Sequence, residues 1–319
     1  MALLIREDEV RQVLTMQSAV EAVEQAMKEH ALGLAVNIPR ERTRIQKGAL
    51  HILQGAVESC GVFGYKAYTS TREGIRFLVY LYNSLRGKLE AVIEADYLGM
   101  IRTGASGGVA ARWLSRENSK TVGMFGAGWQ AHGQLEALCC VRNIETARVF
   151  ARNVEKLEAF CKSRSEKLGI EVIPCLSARE AVSGADIIVT ITTASKPLFS
   201  HEWVEKGVHI NAAGSNALIR AELDEKTLQK ADIVAVDAKD VAQRECGDLL
   251  PLVEKGRIHW GRVFELGEII AGRAPGRTRD EQITIFESQG MAIQDLAVGA
   301  CVLQAAREKG LGIDLPIGA

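Results

Sequence analysis

The chain has 319 residues, 47% of them hydrophobic, and a formal charge of −1. Its length predicts two domains, each able to bury a core of its own, and its near-neutral balance gives no electrostatic ground for a nucleic-acid partner or an anionic membrane surface. Acidic residues follow Met1–Ile5 too early for a signal peptide, and no apolar run approaches the ~20 residues of a membrane span, so a cytoplasmic protein is expected.

Val10–Leu32 carries apolar residues at helical spacing and stops at Gly33. Short β-like runs follow at Arg40–Ile45, Ala49–Leu53, Val62–Thr69, Arg76–Tyr82 and Leu89–Glu94, with Ser84–Gly87 a hairpin loop between the last two. This first third reads as a mostly antiparallel sheet with one leading helix. Ala95–Leu114 then reads as a long helix rich in small residues, suited to close packing.

From Ser119 strands and helices alternate. Strands are predicted at Thr121–Phe125, Arg148–Ala151, Glu171–Pro174, Asp186–Thr192, Val208–Ala213 and Ile233–Val236. Helices are predicted from the stretch that follows Gly126–Ala131 to Cys140, over Val154–Leu168 and near Ala178–Val182. Such alternation predicts a doubly wound parallel sheet of Rossmann type, an α/β fold. A last amphipathic helix, Gly290–Lys309, is expected to cross back to the first domain. The division is then 1–115 with 290–319 as a discontinuous α+β domain, and 116–289 as the dinucleotide-binding domain. Seven cysteines (Cys60, Cys139, Cys140, Cys161, Cys175, Cys246 and Cys301) are odd in number and lack a C-x-x-C pair. That argues against disulfides and against a zinc site, so no metal is expected and most are predicted to be small core residues.

The strongest local signal is Gly126-Ala127-Gly128-Trp129-Gln130-Ala131, placed between a strand and a helix. The first glycine permits a tight turn, the second lets backbone approach a pyrophosphate, and the small third residue lets helix pack on strand. All six residues are candidates for binding a nicotinamide dinucleotide, with the new helix's amides facing the phosphates. The second strand runs on into Arg152-Asn153, both candidate cofactor contacts, without the acid that usually holds a ribose hydroxyl. Arg152 is suited to a 2′-phosphate, which favours NADP(H), with NAD(H) possible. Trp129 and Tyr68 are expected to pack in the core rather than line a pocket.

Several segments then converge on one family. Ile101-Arg102-Thr103-Gly104-Ala105-Ser106 precedes the glycine turn, and His209–Ser215, Ile283–Gly290 and Gln294-Asp295 follow it. In this order and spacing they resemble the ornithine cyclodeaminase/mu-crystallin family over essentially the whole chain. The resemblance implies a homodimer with a Rossmann domain and a separate substrate and dimerisation domain. It also implies hydride transfer between a nicotinamide and the α-carbon of a small amino acid, through an imine.

Carried over residue by residue, Lys66 matches the family's catalytic lysine. Held among Phe63, Tyr65 and Tyr68, it is expected to be partly desolvated and its pKa lowered. Arg102 matches a carboxylate-binding residue and, with Thr103, a cofactor contact. Arg40 matches the other substrate arginine, although Arg42 and Arg44 share its face of a strand and leave the register open by two residues. Thr192, Ala213 and Ser288 match cofactor contacts, and Gln289 a residue bordering substrate. Asn216, a candidate substrate contact, is a departure, because it stands where ornithine cyclodeaminases carry a catalytic aspartate. An amide is neither a base nor a counter-charge for a distal amine. The expected activity is therefore an NAD(P)H-dependent imine reductase or amino acid dehydrogenase, for example pyrroline-2-carboxylate to proline. Ornithine cyclodeaminase and a non-catalytic mu-crystallin-like binder are the alternatives.

Overall fold

The computed structural model describes residues 1–317, which divide into two compact units: Met1–Thr103 with the stretch from Met291 onward, and Gly104–Gly290. In chain order the first unit opens with β1 (Ala2–Ile5), α1 (Glu7–Val13), α2 (Met16–Ala31), β2 (Ala35–Ile45), β3 (Gly48–Val57), β4 (Val62–Thr71), β5 (Gly74–Asn83) and β6 (Leu89–Glu94). The long helix α3 (Asp96–Leu114) begins in the first unit and ends in the second. There follow β7 (Thr121–Phe125), α4 (Trp129–Val141), β8 (Thr146–Phe150), α5 (Val154–Leu168), β9 (Glu171–Pro174), α6 (Ala178–Val182), β10 (Ile187–Thr190) and β11 (His209–Ala212). The second unit is completed by α7 (Glu225–Lys230), β12 (Ile233–Val236), α8 (Lys239–Glu245), α9 (Leu250–Glu254), β13 (Val263–Glu265), α10 (Leu266–Ile270) and β14 (Thr284–Glu287). Finally α11 (Ala292–Glu308) and β15 (Ile313–Leu315) return to the first unit.

The first unit is a seven-stranded sheet in the order β15-β1-β6-β5-β4-β3-β2, antiparallel except where β1 runs parallel to β6. Helix α11 packs on α2 and across β3 and β4. The single leading helix expected over Val10–Leu32 is two helices. Thr15 interrupts it by accepting a hydrogen bond from the Ser18 amide at 3.2 Å, as a side-chain cap that starts a new helix. The terminal strands β1 and β15 carry too few residues to show a strand period, and only pairing reveals them.

One irregularity in this sheet has consequences for chemistry. The pairing of β2 with β3 slips between Ile38 and Glu41, so that Pro39 and Arg40 together face Leu53. Proline has no N–H to give to the ladder, and a bulge is where strands tolerate it. Before the bulge Ala35 and Asn37 point into the unit; after it Arg40 is the buried residue. One inserted residue thus re-aims the arginine side chains.

The second unit is an eight-stranded sheet in the order β13-β12-β14-β11-β10-β7-β8-β9, parallel throughout. Its two cores follow from strand alternation: Phe125, Ile188 and Ile210 enter one, and Met124, Ile187 and Val189 the other. Strand β14, read from the sequence only as part of a motif, lies between β11 and β12. The first compact unit ends at Thr103, short of the predicted boundary at 115. The reason is close packing of the later part of α3 on α4. A Cβ on Gly104 would lie 2.2 Å from the Gly133 carbonyl oxygen, and one on Gly108 would lie 3.0 Å from Ala137 Cβ.

The cysteines correct an expectation. Cys161, Cys175 and Cys246 are buried, Cys139 and Cys301 partly so, while Cys60 and Cys140 are exposed. No helix among the described residues is long and apolar enough to cross a membrane. Replacing Gly104 by alanine should force α3 and α4 apart, at a cost of about 1–3 kcal/mol for overpacking. The expected result is a fall of several degrees in the thermal midpoint (roughly 2–4 °C per kcal/mol for a unit of this size). An unchanged midpoint would contradict this helix spacing.

Candidate active site

In the second unit β7 ends at Gly126, whose φ of +111° lies where side chains are strained. A Cβ there would also lie 2.5 Å from the Ile191 carbonyl oxygen, so the turn itself demands glycine. Gly128 differs. Its φ is −91°, and a Cβ would meet nothing within 4 Å. Protein packing does not explain this glycine, whereas a ligand lying against the backbone would. Gly128 caps α4 without a side-chain hydrogen bond, the Ala131 amide turns back onto its carbonyl at 3.0 Å, and the positive end of the helix dipole at this turn suits an anion. Ala131 is fully buried, as its small size requires, while Ala127 and Gln130 are half-buried. Trp129 is 39% exposed and Tyr68 half-buried, so neither is the core residue expected. These features fit a dinucleotide pyrophosphate.

The loops at the ends of neighbouring strands are held by buried carboxylates. Glu222 accepts hydrogen bonds from the Thr192 amide at 2.7 Å, the Thr192 hydroxyl at 2.6 Å and the Gly214 amide at 2.7 Å. Asp248 in turn accepts from the amides of Glu222 and Leu223. Burial raises the pKa of Glu222 and takes that of Asp248 up to about 7. Asp237 receives the amides of Gln289 and Gly290 and the Ser106 hydroxyl. The amides of Ala213 and Ser288 donate to Thr190 and Ala212, continuing the sheet. Arg152 is exposed beyond β8, and the Asn153 side chain caps α5 by accepting from the Lys156 amide at 2.8 Å. Asn216 accepts from Arg220 Nη1 at 2.9 Å.

The first unit holds a cluster of buried charge. Lys66 projects from β4 into the unit and is 3% exposed; its Nζ donates to Asp295 Oδ1 at 2.9 Å. Arg102 Nε, from α3, donates to the same oxygen at 3.0 Å, and its Nη1 to Gln294 Oε1 at 3.1 Å. Two cations therefore share one carboxylate oxygen. The other oxygen of Asp295 is buried with no hydrogen-bond partner among the described residues, an acceptor left for an incoming N–H. Burial, then the charge of Arg102, against the pull of Asp295, brings the Lys66 ammonium down to about 8. Arg40, buried by the bulge, adds its charge to the same effect, whereas Arg42 is half-buried and Arg44 exposed.

The surroundings of Lys66 differ from expectation. Strand alternation sends Phe63 and Tyr65 to the opposite face, where they lie against Tyr82 and Tyr80. The rings beside Lys66 are Phe77 at 5.0 Å and Tyr68 at 5.9 Å. Arg40, Lys66, Arg102 and Thr103 belong to the first unit; Asn216, Gln289 and the turn residues belong to the second. Asp295 stands in the Gln294-Asp295 motif without an assigned role, although it is a lone carboxylate in the otherwise uncharged run Ala292–Gln304. That contrast was its signal.

A model of the ornithine cyclodeaminase/mu-crystallin family matches residues 2–310. A Δ1-pyrroline-2-carboxylate reductase of Bacillus cereus is 36% identical, over 97% of this chain and 98% of that protein. Among solved structures, a Thermococcus litoralis Δ1-pyrroline-2-carboxylate reductase in complex with NADH and L-proline superposes with a TM-score of 0.94 at 33% identity, covering 98% of this chain and 100% of the other. An archaeal alanine dehydrogenase dimer with bound NAD gives 0.93 at 36% identity, covering 99% of each.

The two glycines of the turn should separate on substitution. Gly126→Ala is expected to lower stability by about 1–3 kcal/mol through backbone strain, together with nucleotide affinity. Gly128→Ala is expected to leave the thermal midpoint within about 1 °C and to weaken nucleotide binding tenfold or more, about 1.4 kcal/mol. Thermal unfolding and a fluorescence titration with NADPH and NADH measure both. Wild-type affinity in Gly128→Ala would reduce the turn to a structural one.

Proposed function

The chain belongs to the ornithine cyclodeaminase/mu-crystallin family, and on that premise we propose that it is an NAD(P)H-dependent imine reductase. It converts a ketimine that bears a carboxylate into an amino acid, and amino acid dehydrogenation is the same reaction reversed. The observation that carries this reading is the sharing of Asp295 Oδ1 by buried Lys66 and Arg102. Two buried cations on one carboxylate leave surplus positive charge, which a substrate carboxylate offsets. Arg102 and Arg40 supply the guanidinium forks that orient it. Asp295 Oδ2 accepts the N–H of the imine or amine, and Lys66 Nζ holds the proton that the nitrogen takes. When bound, the nicotinamide supplies the hydride.

Asn216 argues against ornithine cyclisation, since its amide neither takes a proton nor balances a distal ammonium. Arg152 at the end of β8 favours NADP(H) over NAD(H). Exposed Val36, Ile38 and Phe63 on the outer face of the first unit's sheet support a homodimer.

NAD(P)H oxidation should be followed with pyrroline-2-carboxylate and with pyruvate plus ammonia. Lys66→Ala is expected to lower kcat by about 10²–10⁴, the usual contribution of a positioned acid–base group. Because reduction needs the lysine protonated, kcat/KM for the imine should fall as pH rises through about 8, and the reverse oxidation should rise through the same range. Substrate carboxylate opposes the field of Arg102, so the limb in kcat should lie at higher pH than the limb in kcat/KM. Conversion of ornithine to proline and ammonia without imine reduction would overturn the reading. For cofactor choice, Arg152→Ala is expected to raise KM for NADPH about tenfold with little effect on NADH. Equal effects on the two would dismiss Arg152 as the discriminator.

A further inference from the structure

The sheet face that carries Lys66 continues beyond it into a second group of cations. Across the strands Arg42 lies opposite His51, His51 opposite Tyr68 and Tyr68 opposite Phe77. Tyr68 and Phe77 are the rings beside Lys66, so this row is its direct neighbour, roughly 7 Å along the strands. Arg44 follows two residues further along β2. The bulge at Pro39–Arg40 sets Arg40, Arg42 and Arg44 on this common face.

His51 reports what the row is like. Its ring stacks on Tyr68 with centroids 4.2 Å apart and planes within 5°. Nε2 is 3.0 Å from the Ser70 hydroxyl, and Nδ1 is buried with no hydrogen-bond partner among the described residues. Burial, then the charges of Arg42, Arg40 and Arg44 in that order, push its imidazole down to about 4. Every charge acting on it is positive. The neutral ring engages the Ser70 hydroxyl with Nε2 and leaves Nδ1 to the row. Several guanidiniums gathered around a neutral ring are an environment for an anion.

We propose that Arg42, Arg44 and His51 form a subsite for a second carboxylate, so that the substrate is a short dicarboxylic imine. This rests on the reductase reading of Lys66 and Arg102. The first carboxylate lies with Arg102 and Arg40, and the second reaches the Arg42 row across the Tyr68 ring. In the reaction one hydride passes from the reduced nicotinamide to the imine carbon and one proton to its nitrogen. The products are an amino dicarboxylate and the oxidised nicotinamide, and the second carboxylate is unchanged.

The test compares imines formed in ammonia from pyruvate with those from oxaloacetate or 2-oxoglutarate, in the wild type and in Arg42→Gln/Arg44→Gln. Inhibition by succinate against propionate gives a second readout that needs no variant. The wild type should show kcat/KM at least about tenfold higher for the dicarboxylic imine, which is what one charge-assisted pair supplies, and tighter inhibition by succinate. In the double variant the dicarboxylate KM should rise until the two imines are within about threefold. Equal or better use of the monocarboxylic imine by the wild type overturns the subsite and leaves the reductase standing. So does a ratio that the double variant does not move. A loss confined to the KM of the nucleotide would assign these arginines to a phosphate and overturn it as well. Failure to reduce any imine overturns both readings.

Discussion

The first unit is organised around one buried carboxylate. Asp295 is fully buried, and without Lys66 and Arg102 its burial would carry a large desolvation cost. The dependence is mutual, since either cation alone in that interior would lack its counter-charge. A sheet strand, the start of a long helix and the last helix of the chain are each tied to this one side chain. The same three-way attachment that stabilises the unit also tunes it. The second cation lowers the lysine's hold on its proton, while the carboxylate keeps that effect within a useful range.

In the second unit, carboxylates do a different job. Glu222, Asp248 and Asp237 bind backbone amides, fixing the loops that follow β10, β11 and β14. These loops follow the carboxyl ends of parallel strands, where an open α/β sheet binds its ligands. Replacing solvent by fixed carboxylates gives such loops a defined shape without side chains that project into the ligand's space. The glycine turn follows the same logic: Gly126 satisfies the backbone, and Gly128 leaves room.

The parallel sheet was legible in the sequence because its strands are continuous apolar runs separated by helices of distinct period. Strand ends were less so: Thr192 lies past the end of β10, since the side-chain pattern continues after the hydrogen bonding stops. Lys66 and Arg102 were legible through motifs, and Arg40 only with its neighbours Arg42 and Arg44 beside it. A uniform two-residue period cannot reveal a bulge, and the bulge decides which arginine is buried. Of the neighbours expected for Lys66, Tyr68 lies beside it, and the other two do not for a related reason. Adjacency in sequence suggested Phe63 and Tyr65, but cross-strand pairing supplied Phe77. Asp295 went unassigned because its partners are 229 and 193 residues away, beyond any local pattern.

That separation also bears on how the chain comes together during synthesis. Strands β2 to β6 emerge from the ribosome with Lys66 in place but with its counter-charge still unmade. The whole of the second unit is translated before α11 appears. A nascent first unit therefore holds an uncompensated lysine where its interior will be, and lacks the helix that covers β3 and β4. The second unit, whose segments are contiguous from Gly104 to Gly290, can close first. The arrival of Asp295 then completes both the hydrophobic cover and the charge balance in one step, so a half-made first unit has no assembled acid–base site.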